Sequence, residues 1–180
     1  MRKLLIALAA ACTSLYSFAQ DNNSTKIARN SFFAEIGGAG IMFSANIDHR
    51  FTQSNLGWGG RIGLGFVTAY EYDTSNYSNS YYYNDNPVST FTVPVEVNYI
   101  FGKTNSPHTF EVGAGFTYVG KELEIMNFYD DKQSQWFGTF SFMYRRQPKD
   151  GGFTWRIGFT PLVAKGYIQA FGGAGLGYNF

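Results

Sequence analysis

The sequence predicts an all-β protein, an eight-stranded antiparallel up-and-down transmembrane β-barrel with a narrow, side-chain-filled interior. Three observations predict this fold. Eight segments alternate between apolar and polar residues, which is the period of a strand with two unlike faces. Aromatic residues make up 19% of the chain, as expected for a barrel that lines two membrane interfaces with rings. The chain also ends on Phe180, and every even position from Ile168 onward is apolar, glycine or aromatic.

The first residues have the pattern of a secretory signal. Arg2 and Lys3 precede the apolar stretch 4–11, and residues 17–19 fit a small-x-small cleavage site. The apolar stretch is shorter than the roughly 20 residues that a membrane-spanning helix needs. The alternative is a lipoprotein signal in which Cys12 is the acylated residue.

We therefore expect a cleaved signal peptide at 1–19, a short periplasmic segment at 20–30 and the barrel at 31–180. Cys12 is the only cysteine, so a chain cleaved after residue 19 has no thiol for a disulfide, a nucleophile or a metal site. Loss of the two signal bases lowers the formal charge from +1 to −1. A nearly neutral chain gives no electrostatic basis for binding nucleic acid, and we predict neither a metal nor a cofactor.

The first two strands form a hairpin, at about 31–39 and 41–51. Apolar positions are even in the first strand and odd in the second, so we expect a tight turn or bulge near 37–40. The predicted outward residues of this hairpin are Phe32, Ala34, Ile36, Ile41, Phe43, Ala45, Ile47 and Phe51.

Five more strands follow at about 57–70, 89–101, 108–119, 135–146 and 153–163. Each presents one apolar face with a period of two. Their outward residues are Trp58, Ile62, Leu64, Phe66, Tyr70, Phe91, Val93, Val95, Val97, Tyr99, Phe101, Phe110, Val112, Ala114, Phe116, Tyr118, Trp136, Phe140, Phe142, Tyr144, Phe153, Trp155, Ile157, Phe159 and Val163.

The eighth strand, 168–180, is expected to close the barrel against strand one near Phe32. Its outward residues Leu176, Tyr178 and Phe180 are predicted to be the signal that the barrel-assembly machinery reads during biogenesis. The connectors then set the orientation. Short turn-rich connectors alternate with the long polar loops 71–88 and 120–134, so we expect the loops outside and both termini in the periplasm.

The strand ends carry aromatic residues that fit two interfacial girdles in contact with outer-membrane lipid. One girdle, beside the short turns, comprises Phe51, Trp58, Tyr99, Phe101, Phe110, Tyr144, Phe153 and Trp155. Tyr70, Tyr118 and Trp136 would belong to the other girdle. A soluble β-sandwich is the alternative, since any antiparallel sheet can have one apolar and one polar face.

The inward face of the strands is polar and sums to zero charge, with four acids and four bases. We predict that it forms a network that fills the lumen, because eight strands leave only enough room for side chains. A proton or ion path is the alternative. The predicted network residues are Glu35, Asn46, Asp48, Arg50, Arg61, Glu96, Asn98, Glu111, Arg145 and Arg156.

The chain resembles the small eight-stranded outer-membrane barrels of the OmpX and OmpA-transmembrane-domain type, in a form typical of Bacteroidota. The resemblance lies in the processing site 17–20, the hairpin 33–51, the turn and strand 147–161, and the end 173–180. It implies the architecture and leaves the activity open, because such barrels include adhesins, anchors, secretion components and a few lipid-modifying enzymes.

The sequence offers no catalytic constellation, since neither His49 nor His108 has a serine or acid at a suggestive spacing. The leading hypothesis is a non-enzymatic structural or surface-recognition protein with an extracellular or envelope protein partner. Tyrosine among serine and asparagine suits an adaptable binding loop. The candidate recognition residues are Tyr72, Tyr77, Tyr81, Tyr82 and Tyr83. The alternatives are an accessory subunit of an envelope or secretion complex, a narrow pore and a lipid-modifying enzyme.

Overall fold

The protein is a sheet of antiparallel strands that closes on itself. A computed structural model describes residues 27–70, 87–128 and 133–180. Its strands are β1 Asn30–Gly37, β2 Phe43–Arg50, β3 Gly57–Ala69, β4 Val88–Gly102, β5 His108–Val119, β6 Trp136–Arg146, β7 Gly152–Phe159, β8 Leu162–Ala164, β9 Tyr167–Gln169 and β10 Gly172–Asn179. A 3-10 turn, Gly38–Gly40, joins β1 to β2. Within the described ranges, no helix is long and apolar enough to cross a membrane.

The ten strands make eight strands of the barrel wall, which we call staves. β7 and β8 form one interrupted stave, and β9 and β10 form another. β6 pairs with β7 and then with β8 in one unbroken register. The interruption falls at Thr160 and Pro161, where proline has no N–H to donate to the ladder. Backbone bonds still cross it, since Phe140 N donates to Pro161 O at 3.2 Å and Thr160 N donates to Phe171 O at 2.8 Å.

β10 closes the barrel against β1, as predicted. Phe32 lies opposite Tyr178, and the pairing runs from Ser31 to Gly37 along β1. Asn30 and Phe180 exchange backbone hydrogen bonds of 3.0 and 2.9 Å beyond the last ladder pair. The eight-stranded antiparallel barrel predicted from the sequence is therefore confirmed.

The barrel has two unlike ends. The terminus end carries the start of β1, the end of β10 and the short β2–β3, β4–β5 and β6–β7 connectors. The loop end carries the β1–β2 turn, the connectors that follow β3 and β5, and the Lys165–Gly166 hairpin turn between β8 and β9. The lipid-facing set predicted from the sequence lies on the outer face, as Leu176 at 61% exposure illustrates.

Ile41 is the one residue of that set whose predicted direction is wrong. It is only 4% exposed and has a φ of 74°, which a β-branched residue rarely adopts. The β1–β2 ladder ends where Gly37 N donates to Met42 O at 2.9 Å. The intervening turn folds into the barrel, so strand two begins at Phe43 and not at Ile41.

Candidate functional site: the barrel lumen

The lumen at the terminus end is filled with charged side chains from seven of the eight staves. All ten polar residues predicted to face inward lie there, and none is more than 3% exposed. Glycines on the inner wall leave the space that these long side chains need. A Cβ at Gly59 would overlap the Arg50 guanidinium, and one at Gly113 would overlap Glu96.

The charges form a chain that begins near the terminus end of the barrel. Arg50 pairs with Asp48 and also donates to Asn98. Asn98 Nδ2 in turn donates to Asp48 Oδ2 at 3.1 Å. Arg145 Nη1 bridges Asp48 Oδ2, at 3.0 Å, to Glu111 Oε2. Asp48 therefore contacts two guanidinium groups and one amide.

The series of charged side chains continues from Glu111 to the middle of the barrel. Arg156 Nη2 donates to Glu111 Oε1 at 2.8 Å, and Arg156 Nε lies 3.3 Å from Glu35 Oε1. Arg61 Nη1 lies 3.7 Å from the same Glu35 oxygen, while Arg61 Nη2 pairs with Glu96. Four bases and four acids thus alternate in sign along one continuous series.

Two neutral side chains tie this series together. Ser141 Oγ lies 2.8 Å from Glu96 Oε1 and 3.5 Å from Glu111 Oε1, so it connects the last acid to the middle of the series. The ring of Phe33 is 4.8 Å from the Arg156 guanidinium carbon and 5.8 Å from that of Arg61. These cation–π contacts give both buried guanidinium groups an apolar neighbour.

The β1–β2 turn crosses the lumen next to the charged series. Gly38, Ala39 and Gly40 are all buried, and two inward threonines hold their carbonyls. Thr117 Oγ1 donates to Ala39 O at 2.6 Å, and Thr92 Oγ1 donates to Gly40 O at 3.0 Å. The turn therefore forms an internal plug that is hydrogen-bonded to the opposite wall.

An apolar cluster fills the lumen on the far side of this plug, towards the loop end. Its buried members are Ile41, Val67, Val119, Leu123, Ile125, Phe128, Phe137, Leu162 and Ala164. Three of them come from the segment 120–128 after β5, which sequence reasoning treated only as a polar loop. The signal that could have revealed them is the spacing of Leu123, Ile125 and Phe128 within that loop.

The segment 120–128 reaches across the mouth of the barrel. Glu124 N donates to Tyr70 O at 3.0 Å, although β5 and β3 are separated by β4. The rings of Phe128 and Phe137 meet edge to face, with centroids 5.3 Å apart. The loop end is thus closed from inside by the chain itself.

A small cavity lies at the terminus end, beside the first charges of the series. Its volume is about 10 Å³, which is about the space that one water molecule needs. The buried Ser31 Oγ, Asn179 Oδ1 and Arg145 Nε have no hydrogen-bond partner in the described part of the chain, and all three residues line it. The cavity therefore suits a single bound water and ends at the charged series.

The remaining predicted residues lie outside the lumen or outside the described ranges. Tyr72, Tyr77, Tyr81, Tyr82 and Tyr83 fall in 71–86, beyond the residues that the structure describes. The signal peptide also falls outside them. Leu176, Tyr178 and Phe180 lie on the outer face of the closing stave.

Both histidines lie on the outer surface at the terminus end. His49 Nδ1 is 2.7 Å from Asn30 Oδ1, and His108 Nδ1 contacts the Tyr144 hydroxyl. Neither contact resembles a nucleophile with its base. Among the residues that the structure describes, no group of histidine, cysteine, aspartate or glutamate could hold a metal ion.

Comparisons with known proteins identify a shared fold. No family model and no curated protein matches the sequence. The structure is similar to the crystal structure of the N-terminal β-barrel domain of Pseudomonas aeruginosa OprF, with a TM-score of 0.54 and 13% sequence identity. The likeness covers 86% of this chain and 98% of that one. At this identity the likeness shows a shared barrel fold alone.

Proposed function

We propose that the protein is a non-enzymatic barrel of the bacterial outer membrane that conducts no ions and supports a structural or surface-recognition role at its loop end. The single observation that carries this proposal is the filling of the lumen. The charged series, the internal turn and the apolar cluster occupy it one after another. An ion would have to separate paired charges and then enter a hydrocarbon-like interior, and both steps are costly.

The outer face supports the membrane location. Side chains of the mid-barrel are apolar and exposed, as a surface in contact with lipid requires. Aromatic rings pack against each other at the terminus end, with Trp58 and Tyr99 5.2 Å apart and Tyr144 and Trp155 5.2 Å apart. A second set lies towards the loop end, where Tyr118 and Trp136 are 4.9 Å apart. We infer that these two sets mark the two interfaces, and that the barrel is of the small OmpX-like type.

The conductance of the purified barrel tests the closed lumen. In planar lipid bilayers we expect no discrete current steps, because the charged series, the internal turn and the apolar cluster block the lumen one after another. Steady ohmic steps that scale with the number of inserted barrels would contradict a closed lumen. Slower gel migration after boiling, measured on the same sample, verifies that the protein tested is a folded barrel.

Membrane orientation is tested with single cysteines, since Cys12 is the only natural one and lies in the proposed signal. We expect Ser78→Cys, in the long 71–88 loop, to react with a membrane-impermeant maleimide in intact cells. The control Thr104→Cys lies in the short β4–β5 connector and should react only after the outer membrane is opened. The reverse pattern would place the termini outside.

We assign the recognition role to the tyrosine-rich loop 71–88. Deletion of 73–86 should lower adhesion of cells to a surface or matrix while the barrel still assembles. In a second variant the five tyrosines are replaced by serine, which removes their rings and keeps the loop length. Unchanged adhesion in both variants would exclude the recognition role, and only the structural role would remain.

A further inference from the structure

Three neighbouring strands place a row of side chains on the outer face of the barrel at the terminus end. His108 on β5 lies opposite Arg146 on β6, and Arg146 lies opposite Trp155 on β7. Arg145 and Arg156 point into the lumen, so alternation turns Arg146 and Trp155 outward. Among the outward positions of the described strands, Arg146 alone is an aspartate, glutamate, lysine or arginine. We call His108, Arg146 and Trp155 the outer row.

The guanidinium of Arg146 is anchored beside the β6–β7 connector. Its Nη1 donates to the carbonyl oxygen of Phe153 at 3.4 Å, which engages one of its five N–H groups. The group is planar and always charged, and its paired N–H groups match two oxygens of a phosphate. The outer row therefore offers a positively charged fork at the barrel surface.

His108 and Tyr144 add a hydrogen-bond donor next to this fork. His108 Nδ1 contacts the Tyr144 hydroxyl, and the two rings are stacked with centroids 6.0 Å apart. The neutral pair has two polar hydrogens, one on the imidazole and one on the hydroxyl. In either tautomer one hydrogen lies within the contact and the other is left for an acceptor outside the pair. His108 and Arg146 are direct cross-strand neighbours, so that acceptor can also contact the guanidinium.

Aromatic rings and then an apolar wall follow the outer row towards the middle of the barrel. The Tyr144 ring lies 5.5 Å from the Phe110 ring and 5.2 Å from the Trp155 ring. Beyond these rings, Phe142 and Ile157 are each 54% exposed. The sequence of charge, rings and apolar surface matches a phospholipid from its phosphate to its acyl chain. An anion without an acyl chain would not use the apolar part.

The two connectors beside the outer row are basic as well. The β4–β5 connector carries Lys103, and the β6–β7 connector carries Lys149 and Asp150. Basic residues near a membrane surface attract anionic lipids. The charge around Arg146 therefore favours a lipid whose headgroup is negative.

We propose that the outer row binds the phosphate of an anionic phospholipid. Arg146 holds the phosphate through its charged fork, and the pair of His108 and Tyr144 donates a further hydrogen bond. An acyl chain of the same lipid lies on the wall at Phe142. The inference rests on the proposed membrane location, and it gives the outer face one position that selects its lipid.

Quenching of Trp155 fluorescence by brominated lipid tests this site. A barrel with Trp58→Phe and Trp136→Phe retains Trp155 alone, and it is reconstituted in phosphatidylcholine vesicles. We expect brominated phosphatidylglycerol to occupy the site about fivefold more strongly than brominated phosphatidylcholine, because the choline cation repels Arg146. Both leaflets have the same composition, so the direction of insertion does not affect the result.

Substitutions separate the outer row from the general charge of this end. Arg146→Gln should lower the preference for phosphatidylglycerol to about one, because the phosphate loses its cation. Lys103→Gln removes one positive charge from the neighbouring connector and should keep the preference. A barrel that retains Trp58 alone reports the same girdle away from the outer row, and both lipids should quench it equally.

Several outcomes would overturn the site. They are equal quenching of Trp155 by the two lipids, a preference that persists in Arg146→Gln, and an equal loss in Lys103→Gln. A preference of the same size at Trp58 would show attraction by the whole rim and would also overturn it. Release of the lipid by inorganic phosphate, beyond the effect of sodium chloride at equal ionic strength, would indicate a site for free phosphate and would overturn the lipid as ligand.

Failure of the site is distinguishable from failure of the proposed function. Migration before and after boiling shows that each variant is a folded barrel. If neither lipid quenches any of the three tryptophans in such a barrel, the proposed membrane location is wrong. If both lipids quench Trp155 equally, the location stands and the phosphate site is refuted.

Discussion

Glu111 is the residue on which the charge balance of the lumen depends most. Arg145 and Arg156 lie directly opposite each other on neighbouring strands, and like charges in that position repel. Glu111 Oε2 contacts Arg145 and Glu111 Oε1 contacts Arg156, so this carboxylate bridges the two guanidinium groups and offsets one of their two charges. Ion pairs this deeply buried stabilise little relative to apolar packing, yet removal of one partner leaves a buried charge unmatched.

We therefore expect Glu111→Gln to lower the free energy of unfolding by about 3–5 kcal/mol. Urea titration in lipid bilayers measures it. Glu122→Gln, in the exposed part of the loop after β5, removes the same charge and should leave stability unchanged. An equal, small loss in both variants would mean that water reaches the lumen charges and screens them.

Residue directions were predictable from the sequence, but the contacts between residues were not. A period of two places Glu35, Arg61 and Arg156 inward whatever their partners are. That Arg156 meets Glu35 and Glu111 depends on the stagger of seven strands, which no local pattern contains. The predicted direction of the Ile41 side chain is wrong because positive φ at Gly37, Gly38 and Ile41 itself breaks the alternation.

The β1–β2 turn is the element that converts a hairpin into an internal plug. Gly38 has a φ of 65°, and a Cβ there would lie 2.5 Å from the Glu35 carboxylate carbon. Alanine at this position thus meets two obstacles, one in the backbone and one in the packed lumen. Movement of the Glu35 carboxylate away from an added Cβ would disturb its ion pairs with Arg156 at 3.3 Å and Arg61 at 3.7 Å.

We expect Gly38→Ala to destabilise the barrel well beyond the roughly 1–2 kcal/mol that a left-handed alanine costs. The matched control is Gly166→Ala, because Gly166 has a φ of 81° and nothing within 4 Å of its added Cβ. Thermal unfolding followed by gel mobility gives both values. Similar losses in the two variants would show that the turn has room to move away from Glu35.

At the level of elements, the sequence predicts the staves better than what lies between them. Strand ends fall within about two residues of the predicted bounds for most staves, because turn residues punctuate the alternation. The break at Thr160 and Pro161 went unpredicted because the apolar period continues across it. The inward fold of 120–128 also went unpredicted, since polar neighbours mask its apolar residues.

For the whole molecule, the closing stave unites the last residue with the first strand. Phe180 pairs through its backbone with Asn30, and its ring lies on the outer face at 60% exposure. The ring therefore contributes little to closure in the folded barrel. The predicted role of this ring is to guide assembly into the membrane.

Phe180→Ala is expected to lower the fraction of barrel assembled in cells severalfold, while the assembled barrel unfolds at an unchanged urea concentration. Phe153→Ala removes a girdle ring of similar exposure that is paired with Tyr178 and should assemble as the wild type does. The assembled fraction is read from the heat-modifiable band. A matching assembly defect in both variants would mean that Phe180 acts only as one more interfacial aromatic.

The charged series also constrains the order in which the chain acquires its structure. Asp48 and Arg145 meet across 97 residues of sequence, so this ion pair forms only when strands from both halves of the chain are in place. Before closure each has only its nearer partner, Arg50 for Asp48 and Glu111 for Arg145, and the charged series is incomplete against hydrocarbon. Intermediates between the open and the closed sheet are then high in free energy, and closure is expected to be all-or-none. The interior salt bridges would in that way penalise incomplete products more than they strengthen the finished one.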